Sequence, residues 1–279
     1  MPSSTIDNTS TIQVVTLSDG WDPDQYHRFQ QQRRQPFDDL LDLLEPTPMA
    51  RAVDLGCGSG ELTADLAARF GIAHTVGIDH SATMLAAAAA HARPGIVFDA
   101  GDLATFTSPG DLDLVLANAS LQWVPDHPAV LARWAGSLRP GGQLAVQVPA
   151  NADQPSHVAA LRAALRPEFA DAFGPDGPPP DPVAGNVLAP QAYATLLYEL
   201  GFERQHVRLQ VYPHVLPSSR DVVEWVKGTT LTRFSAVLPA GVFARFVDAY
   251  TEELLTMIGD RSPLFFPFKR ILMSARLPD

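Results

Sequence analysis

The sequence predicts a doubly wound α/β fold built on a mostly parallel, seven-stranded sheet. Three observations carry this expectation. Short apolar runs alternate with helix-like segments between residues 51 and 148. A glycine-rich turn, Asp54-Leu55-Gly56-Cys57-Gly58-Ser59-Gly60, follows the first run. An acidic residue, Asp79, closes the second. Parallel neighbours need crossover helices, so repeated strand–helix alternation places helices on both faces of one sheet.

The elements follow in order. Residues 50–55 read as a short buried strand, and residues 61–70 as a helix with Leu62, Leu66 and Phe70 at helical spacing. Residues 75–79 form the second strand. Ser81 can cap the next helix, which runs through Met84 and Leu85 into a run of alanines, strong helix formers suited to close packing on a sheet. Residues 96–98 and 112–118 are the third and fourth strands. Residues 128–138 form a helix stopped by Pro140-Gly141-Gly142, and residues 144–148 the fifth strand. Beyond this point residues 174–182, with five prolines and two glycines, mark a loop. Residues 191–200 form a helix that Gly201 can cap. Residues 207–215 and 268–276 are the last strands, and residues 221–227 and 239–257 are helices. The opening twenty residues, rich in Ser, Thr and Asn, are expected to form a flexible tail.

Composition narrows the function. Acidic side chains outnumber basic ones, 31 to 20, for a net charge of −11. This disfavours a nucleic-acid substrate, whose phosphates require a basic face. A small anionic substrate needs only a few well-placed arginines. No apolar stretch is long enough for a bilayer span, and the start of the chain lacks the pattern of a secretory signal. The single cysteine, Cys57, cannot form an internal disulfide or a cysteine-based zinc site, and it fits a cytoplasmic location. Its place inside the glycine turn suits packing, with no basic sequence neighbour to activate it.

The glycine turn has a physical purpose. Glycines allow tight turning and close approach of a ligand to the backbone, and N–H groups at a helix start attract anionic groups. Asp79, 19 residues after Gly60, can accept both hydroxyls of a ribose. Dinucleotide and S-adenosylmethionine sites share this pair of features. A dinucleotide fingerprint is G-x-G-x-x-G, whereas the spacing here is Gly56-x-Gly58-x-Gly60 with Asp54 before it.

The turn resembles motif I of class I S-adenosylmethionine-dependent methyltransferases, and Asp99-Ala100-Gly101-Asp102-Leu103 resembles the segment whose aspartate meets the adenine amino group. Other segments are similar to the trans-aconitate 2-methyltransferase family. They are Trp21-Asp22-Pro23 with Tyr26, Phe29, Arg33 and Pro36; Asn118-Ala119-Ser120-Leu121-Gln122-Trp123-Val124-Pro125-Asp126-His127; Ala145-Val146-Gln147-Val148-Pro149; His157-Val158; and Trp225-Val226, Leu231 and Phe268-Lys269-Arg270. Arg233 stands one place later than the family's usual arginine, and the proline-rich loop also departs from the pattern.

The resemblance implies a Rossmann-like domain over residues 21–279, with residues 21–45 and roughly 217–262 forming a helical cap. It implies S-adenosylmethionine as cofactor and a methyl ester on a small polycarboxylic acid as product. Another carboxylate, or a hydroxyl of a natural product, is the alternative acceptor. Donor binding falls to Tyr26, Arg33, Asp54, Gly56, Gly58, Asp79, Asp102, Leu103 and Asn118. Acceptor binding falls to Trp123, Arg233 and Arg270, with Arg33 as a further candidate cation. A carboxylate is ionised at neutral pH, so no catalytic base is expected, nor any metal. His127, His157 and His214 are the histidines that could serve a hydroxyl acceptor.

Overall fold

Seven strands form one sheet in the order β3-β2-β1-β4-β5-β7-β6. The computed structural model describes the backbone from Gln30 and side chains from Arg34, through to Asp279. The strands are β1 (Arg51–Leu55), β2 (His74–Asp79), β3 (Ile96–Ala100), β4 (Leu112–Asn118), β5 (Leu138–Pro149), β6 (Glu203–Leu216) and β7 (Leu264–Arg276). β1 to β5 pair in parallel, and β7 is antiparallel to both of its neighbours. The chain order reverses between β1 and β4, the switch point where such sheets open a crevice at their carboxyl edge.

Both faces of the central strands are apolar, as a sheet covered on two sides requires. One face carries Leu114, Leu116, Ala145, Leu272 and Tyr212. It is covered by α1 (Gln30–Leu41) through Phe37, Leu40 and Leu41, and by α2 (Glu61–Phe70) through Leu66. The other carries Val115, Ala117, Leu144, Val146 and Met273. It meets Val130, Leu131 and Trp134 of α4 (His127–Gly136) and Tyr193 and Leu197 of α8 (Pro190–Glu199). α3 (Ala82–Ala88) is capped by the Ser81 hydroxyl, which accepts from Met84 N, and the alanine run then tightens into a 3₁₀ turn at Ala89–His91.

β6 and β7 are longer than their apolar patterns suggest. Register runs from Glu203↔Arg276 out to Leu216↔Leu264, well past Pro149↔Arg270, where β5 ends. This two-stranded extension projects beyond the carboxyl edge. Its Leu216, Leu264, Phe266 and Phe268 are buried by α5 (Pro155–Ala164), α6 (Pro167–Phe173), α9 (Asp221–Lys227), α10 (Thr232–Ser235) and α11 (Ala240–Ile258).

Three expectations are corrected. Pro140-Gly141-Gly142 does not stop a helix. α4 ends at Gly136, and the Pro-Gly-Gly segment is a bulge in β5, between the pairs Leu112↔Leu138 and Leu114↔Gln143. The proline-rich segment is a loop only to Asp181, which caps a short helix, α7 (Pro182–Asn186), by accepting from Val183 N at 2.9 Å. The helices α5, α6 and α7, absent from the sequence reading, each begin with proline. Proline in the first turn loses no helical hydrogen bond, so the residue type that marks a loop also starts a helix.

Among the described residues no helix is long and apolar enough to cross a membrane. His127 is fully satisfied inside the fold. Nδ1 lies 2.7 Å from the Tyr193 hydroxyl and Nε2 3.0 Å from the Leu121 carbonyl, so the ring pins α4 and α8 to the segment after β4. Tyr193→Phe leaves His127 Nδ1 without a partner, at a cost of about 1–3 kcal/mol. Thermal unfolding is expected to show a melting temperature lower by a few degrees, with the far-ultraviolet spectrum unchanged.

Candidate active site

The glycine turn leaves β1 under tight geometric constraint. Gly56, Gly58 and Gly60 all have positive φ. The Gly56 and Cys57 N–H groups donate to the Ile78 carbonyl at 2.8 and 3.0 Å, which binds the turn to β2. A Cβ on Gly56 would stand 2.3 Å from Ser120 Cβ. Ser120 is held there because its hydroxyl donates to the Leu55 carbonyl at 2.5 Å. Ala119, between it and the end of β4, has φ 56°, a left-handed conformation that non-glycine residues rarely adopt. A Cβ on Gly58 would meet nothing within 4 Å, so the space over this residue is open.

Asp54 points into the protein, 3% exposed, and accepts from Thr63 Oγ1 at 2.6 Å. Burial pushes its carboxyl up to about 7, against the Thr63 hydrogen bond and with the help of nearby Asp79. Asp79 sits at the end of β2 with both oxygens braced by backbone. Oδ2 accepts from Gly58 N and Oδ1 from Ser81 N, each at 2.9 Å. Each oxygen keeps a further lone pair. Cys57 is buried in the same turn, and its thiol is pushed up by burial and by Asp54 and Asp79, which keeps it unreactive. Asp102 is exposed and accepts from Ala104 N at 2.8 Å, while the Leu103 carbonyl receives Trp134 Nε1 at 3.0 Å.

Across the switch point, Asn118 ends β4. Its Oδ1 is buried without a hydrogen-bond partner. Asn118 pairs with Gln147 on β5, which in turn faces Leu272 on β7. Arg270, two residues nearer the carboxyl edge on the same face, donates from Nη1 to Gln147 Oε1 at 3.2 Å. Gln147 is 1% and Arg270 8% exposed. The guanidinium lies over the Phe268 ring at 5.0 Å. His214 stacks between Tyr212 and Trp225. Burial, helped by the positive charge of Arg270, lowers His214 to about 4, so its ring is neutral at physiological pH.

A second polar cluster joins three segments. His157 Nδ1 lies 2.6 Å from Asp181 Oδ2, and Thr230 Oγ1 3.3 Å from His157 Nε2. Arg233 Nη1 is 3.2 Å from Asp181 Oδ1, and Arg233 Nε is buried without a hydrogen-bond partner. Burial alone would raise the Asp181 carboxyl. The His157 hydrogen bond and the charges of His157 and Arg233 outweigh it and hold the group well below the usual carboxylate range. The structure thus anchors the proline-rich loop to the helices beyond β5.

Of the residues singled out from sequence, Asp54, Gly56, Gly58, Asp79, Asp102, Leu103 and Asn118 gather at the carboxyl edge of β1, β2, β3 and β4. Trp123, itself half-buried, follows at the end of a 3₁₀ turn, Leu121–Trp123, whose other two residues are buried. Arg270 joins this edge through Gln147, whereas Arg233 belongs to the Asp181 cluster. Tyr26 lies outside the described residues, and Arg33 lies within α1 with its side chain outside them. Gln147, Asp181 and Thr230 were not picked out from sequence. Only the hydrogen-bonding polar types at Asp181 and Thr230, close to Arg233 in space, mark them.

A methyltransferase-domain family model matches residues 52–142. The chain is 43% identical to trans-aconitate 2-methyltransferase from Deinococcus radiodurans over 267 residues, 93% of this chain and 99% of that protein. It is 37% identical to trans-aconitate 2-methyltransferase from a Mycobacterium species over 92% of this chain and 99% of that one. The chain belongs to the trans-aconitate 2-methyltransferase family. Members of this family are S-adenosylmethionine-dependent methyltransferases of the class I fold, and so is this chain. Solved structures agree on the fold. The YcgJ protein of Bacillus subtilis superposes with TM-score 0.56 at 12% identity, covering 88% of this chain and 99% of that one. Phosphoethanolamine N-methyltransferase 2 of Haemonchus contortus, in complex with S-adenosyl-L-methionine, superposes with TM-score 0.53 at 17% identity, covering 88% and 53%.

The two glycines of this family member separate fold from binding. Gly56→Ala forces Ser120 aside in a left-handed backbone and is expected to lower stability by about 2–5 kcal/mol. Gly58→Ala costs only about 1–2 kcal/mol of backbone strain, yet its methyl enters the open space, so affinity for S-adenosylhomocysteine falls. Denaturant unfolding and titration calorimetry on the two variants check the contrast.

Asp54 generates a pH signature. Its folded value near 7 lies above the ordinary value of 3.8. Between about pH 4 and pH 7 the folded chain therefore holds a proton that the unfolded chain has lost. This group stabilises most fully below pH 4, and its contribution falls as pH rises to 7, by up to about tenfold in the folding equilibrium per pH unit. In Asp54→Asn that fall is expected to vanish. Unfolding of the ligand-free protein at pH 5 and pH 8 measures it.

Proposed function

We propose that this enzyme transfers the methyl group of S-adenosylmethionine to a carboxylate of trans-aconitate or a closely similar small polycarboxylic acid. One observation carries the reading: two buried guanidiniums, Arg270 beside Gln147 and Arg233 beside Asp181, in a chain whose net charge is −11. A tricarboxylate acceptor demands cations and hydrogen-bond donors, and Arg suits it by its planar fork. The identity to trans-aconitate 2-methyltransferases over nearly the whole chain supports the same acceptor.

The donor's polar groups are mostly hydrogen-bond donors: ribose hydroxyls, an ammonium and an adenine amino group. The edge offers acceptors at matching places. Asp79 would take the ribose, Asp102 the adenine amino group with Leu103 against the ring, and Asn118 Oδ1, buried and unpartnered, the amino-acid end. Gly58 leaves the room. Asp54 supports from beneath by holding Thr63. Tyr26 and Arg33 would close the site from the N-terminal side, and Trp123 would wall the acceptor pocket. The helices of residues 217–262 would form a cap over the same edge.

Bound S-adenosylmethionine supplies a sulfonium-activated methyl. The acceptor carboxylate is already ionised, so no side chain need remove a proton. The protein's own contribution is placement: Arg270 and Arg233 hold the acid with one carboxylate oxygen towards the donor. Such orientation can supply roughly 7–11 kcal/mol of the barrier. His127 is fully engaged in structure, and His214 is stacked between aromatic rings. Neither is needed as a base.

Incubation with trans-aconitate and methyl-labelled donor is expected to yield a mono-methyl ester detectable by mass spectrometry. Arg270→Ala should raise KM for the acid about 10- to 100-fold while leaving donor affinity within about twofold. A collapse of donor affinity with unchanged acid binding would reverse the assignment. Products formed only from hydroxyl compounds would favour the alternative acceptor.

A further inference from the structure

Gln147 occupies an unusual position. It lies in a strand flanked by Val146 and Val148, both fully buried, and is itself 1% exposed. Its amide is oriented, because Oε1 accepts from Arg270 Nη1 at 3.2 Å. That leaves Nε2 as the outward donor, and Nε2 is buried without a partner. Its cross-strand neighbour Asn118 also carries an unpartnered atom, Oδ1, of the opposite polarity. An unmade hydrogen bond at a buried amide is unfavourable, and two adjacent residues bear it. The same sheet face therefore presents a row: an acceptor at β4, an N–H donor at β5, a guanidinium at β7. The acceptor end suits a cationic or N–H-bearing group, and the donor end suits an anion.

We propose that Gln147 is a specificity-determining residue, whose Nε2 donates to an oxygen of the substrate carboxylate that Arg270 holds, so that the pair selects an ionised acid over its amide or ester. The assignment rests on the proposed carboxylate acceptor. Arg270 donates to the Gln147 oxygen, which turns the amide so that it presents N–H and not carbonyl. The His214 ring packs between Tyr212 and Trp225, close enough to feel the Arg270 charge. A glutamate at position 147 would bind Arg270 itself and oppose the substrate charge.

The test uses the full-length enzyme, trans-aconitate and its three mono-carboxamides. Steady-state KM and kcat are measured beside the S-adenosylhomocysteine affinity. Gln147→Glu is expected to raise KM for trans-aconitate at least about tenfold with donor-product affinity unchanged. It is also expected to lower KM for one of the three carboxamides, because the new carboxylate accepts from the amide N–H. A structural role alone would not produce this inversion of acid and amide preference. If Gln147→Glu does not fold, Gln147→Leu serves. It should weaken binding of the acid, and of the two carboxamides that keep the recognised carboxylate, about five- to thirtyfold and leave the third carboxamide unaffected. A folded variant with the wild-type ratio of acid to amide KM overturns the role of Gln147. Absence of any methyl ester from the wild-type enzyme, with donor product still bound, overturns instead the proposed acceptor and this inference with it.

Discussion

The hydrogen bond from Ser120 to the Leu55 carbonyl is the contact on which the site's geometry depends. It joins the end of β1 to the exit of β4, the two strands on either side of the switch point. Because Ser120 sits under Gly56, the turn can leave β1 only with no side chain there. Because Ala119 takes a left-handed conformation, Asn118 stays on the strand while Ser120 swings beneath the turn. Local strain of this kind persists only where its surroundings hold it. Here the surroundings include the Ala119 N–H donating to the Gln147 carbonyl at 2.9 Å. The ends of β1, β4 and β5 are thus aligned through one short chain of contacts.

Electrostatics follow from the same arrangement. The molecule is strongly acidic overall, yet its buried cations lie on the strands and helices beyond β5, away from Asp54 and Asp79. Asp54 and Asp79 lie at the ends of β1 and β2, whereas Arg270 and Arg233 lie on β7 and α10. Asp181 complicates the second group. Its carboxylate stabilises His157 and Arg233 while tying down the proline-rich loop. An acid bound near Arg233 would share that guanidinium with Asp181.

The sheet was legible because buried parallel strands are continuous apolar runs, and β1, β2 and β4 carry such runs beside the glycine turn. Asp79, Asp102 and Asn118 were legible because each stands at a strand end, at a distance set by local chain geometry. The helices α5, α6 and α7 were not, since Pro155, Pro167 and Pro182 carry the same letter in a loop and in a first helical turn. The start of β7 was cut short at Pro267, which interrupts the pattern, whereas the strand read over 207–215 already ran through Pro213, its partner across the two strands. Resemblance carried the acceptor class, and it could not tell Arg233 from Arg270 in kind.

Gln147 marks where sequence reasoning ends in this protein. Gln147 falls in the segment Ala145-Val146-Gln147-Val148-Pro149 that resembles the family, but the resemblance gave it no role, and its neighbours in the chain say nothing about charge. Its meaning comes from Arg270, 123 residues away, which reaches it only because β7 inserts antiparallel beside β5. Antiparallel insertion runs β7 against its neighbour, so residues before Leu272 point towards the carboxyl edge. A parallel seventh strand in the same slot would send those residues to the opposite end of the sheet, and the guanidinium would face away from the donor. The one reversed strand in an otherwise parallel sheet is therefore what brings the Arg270 guanidinium to Gln147 near the carboxyl edge.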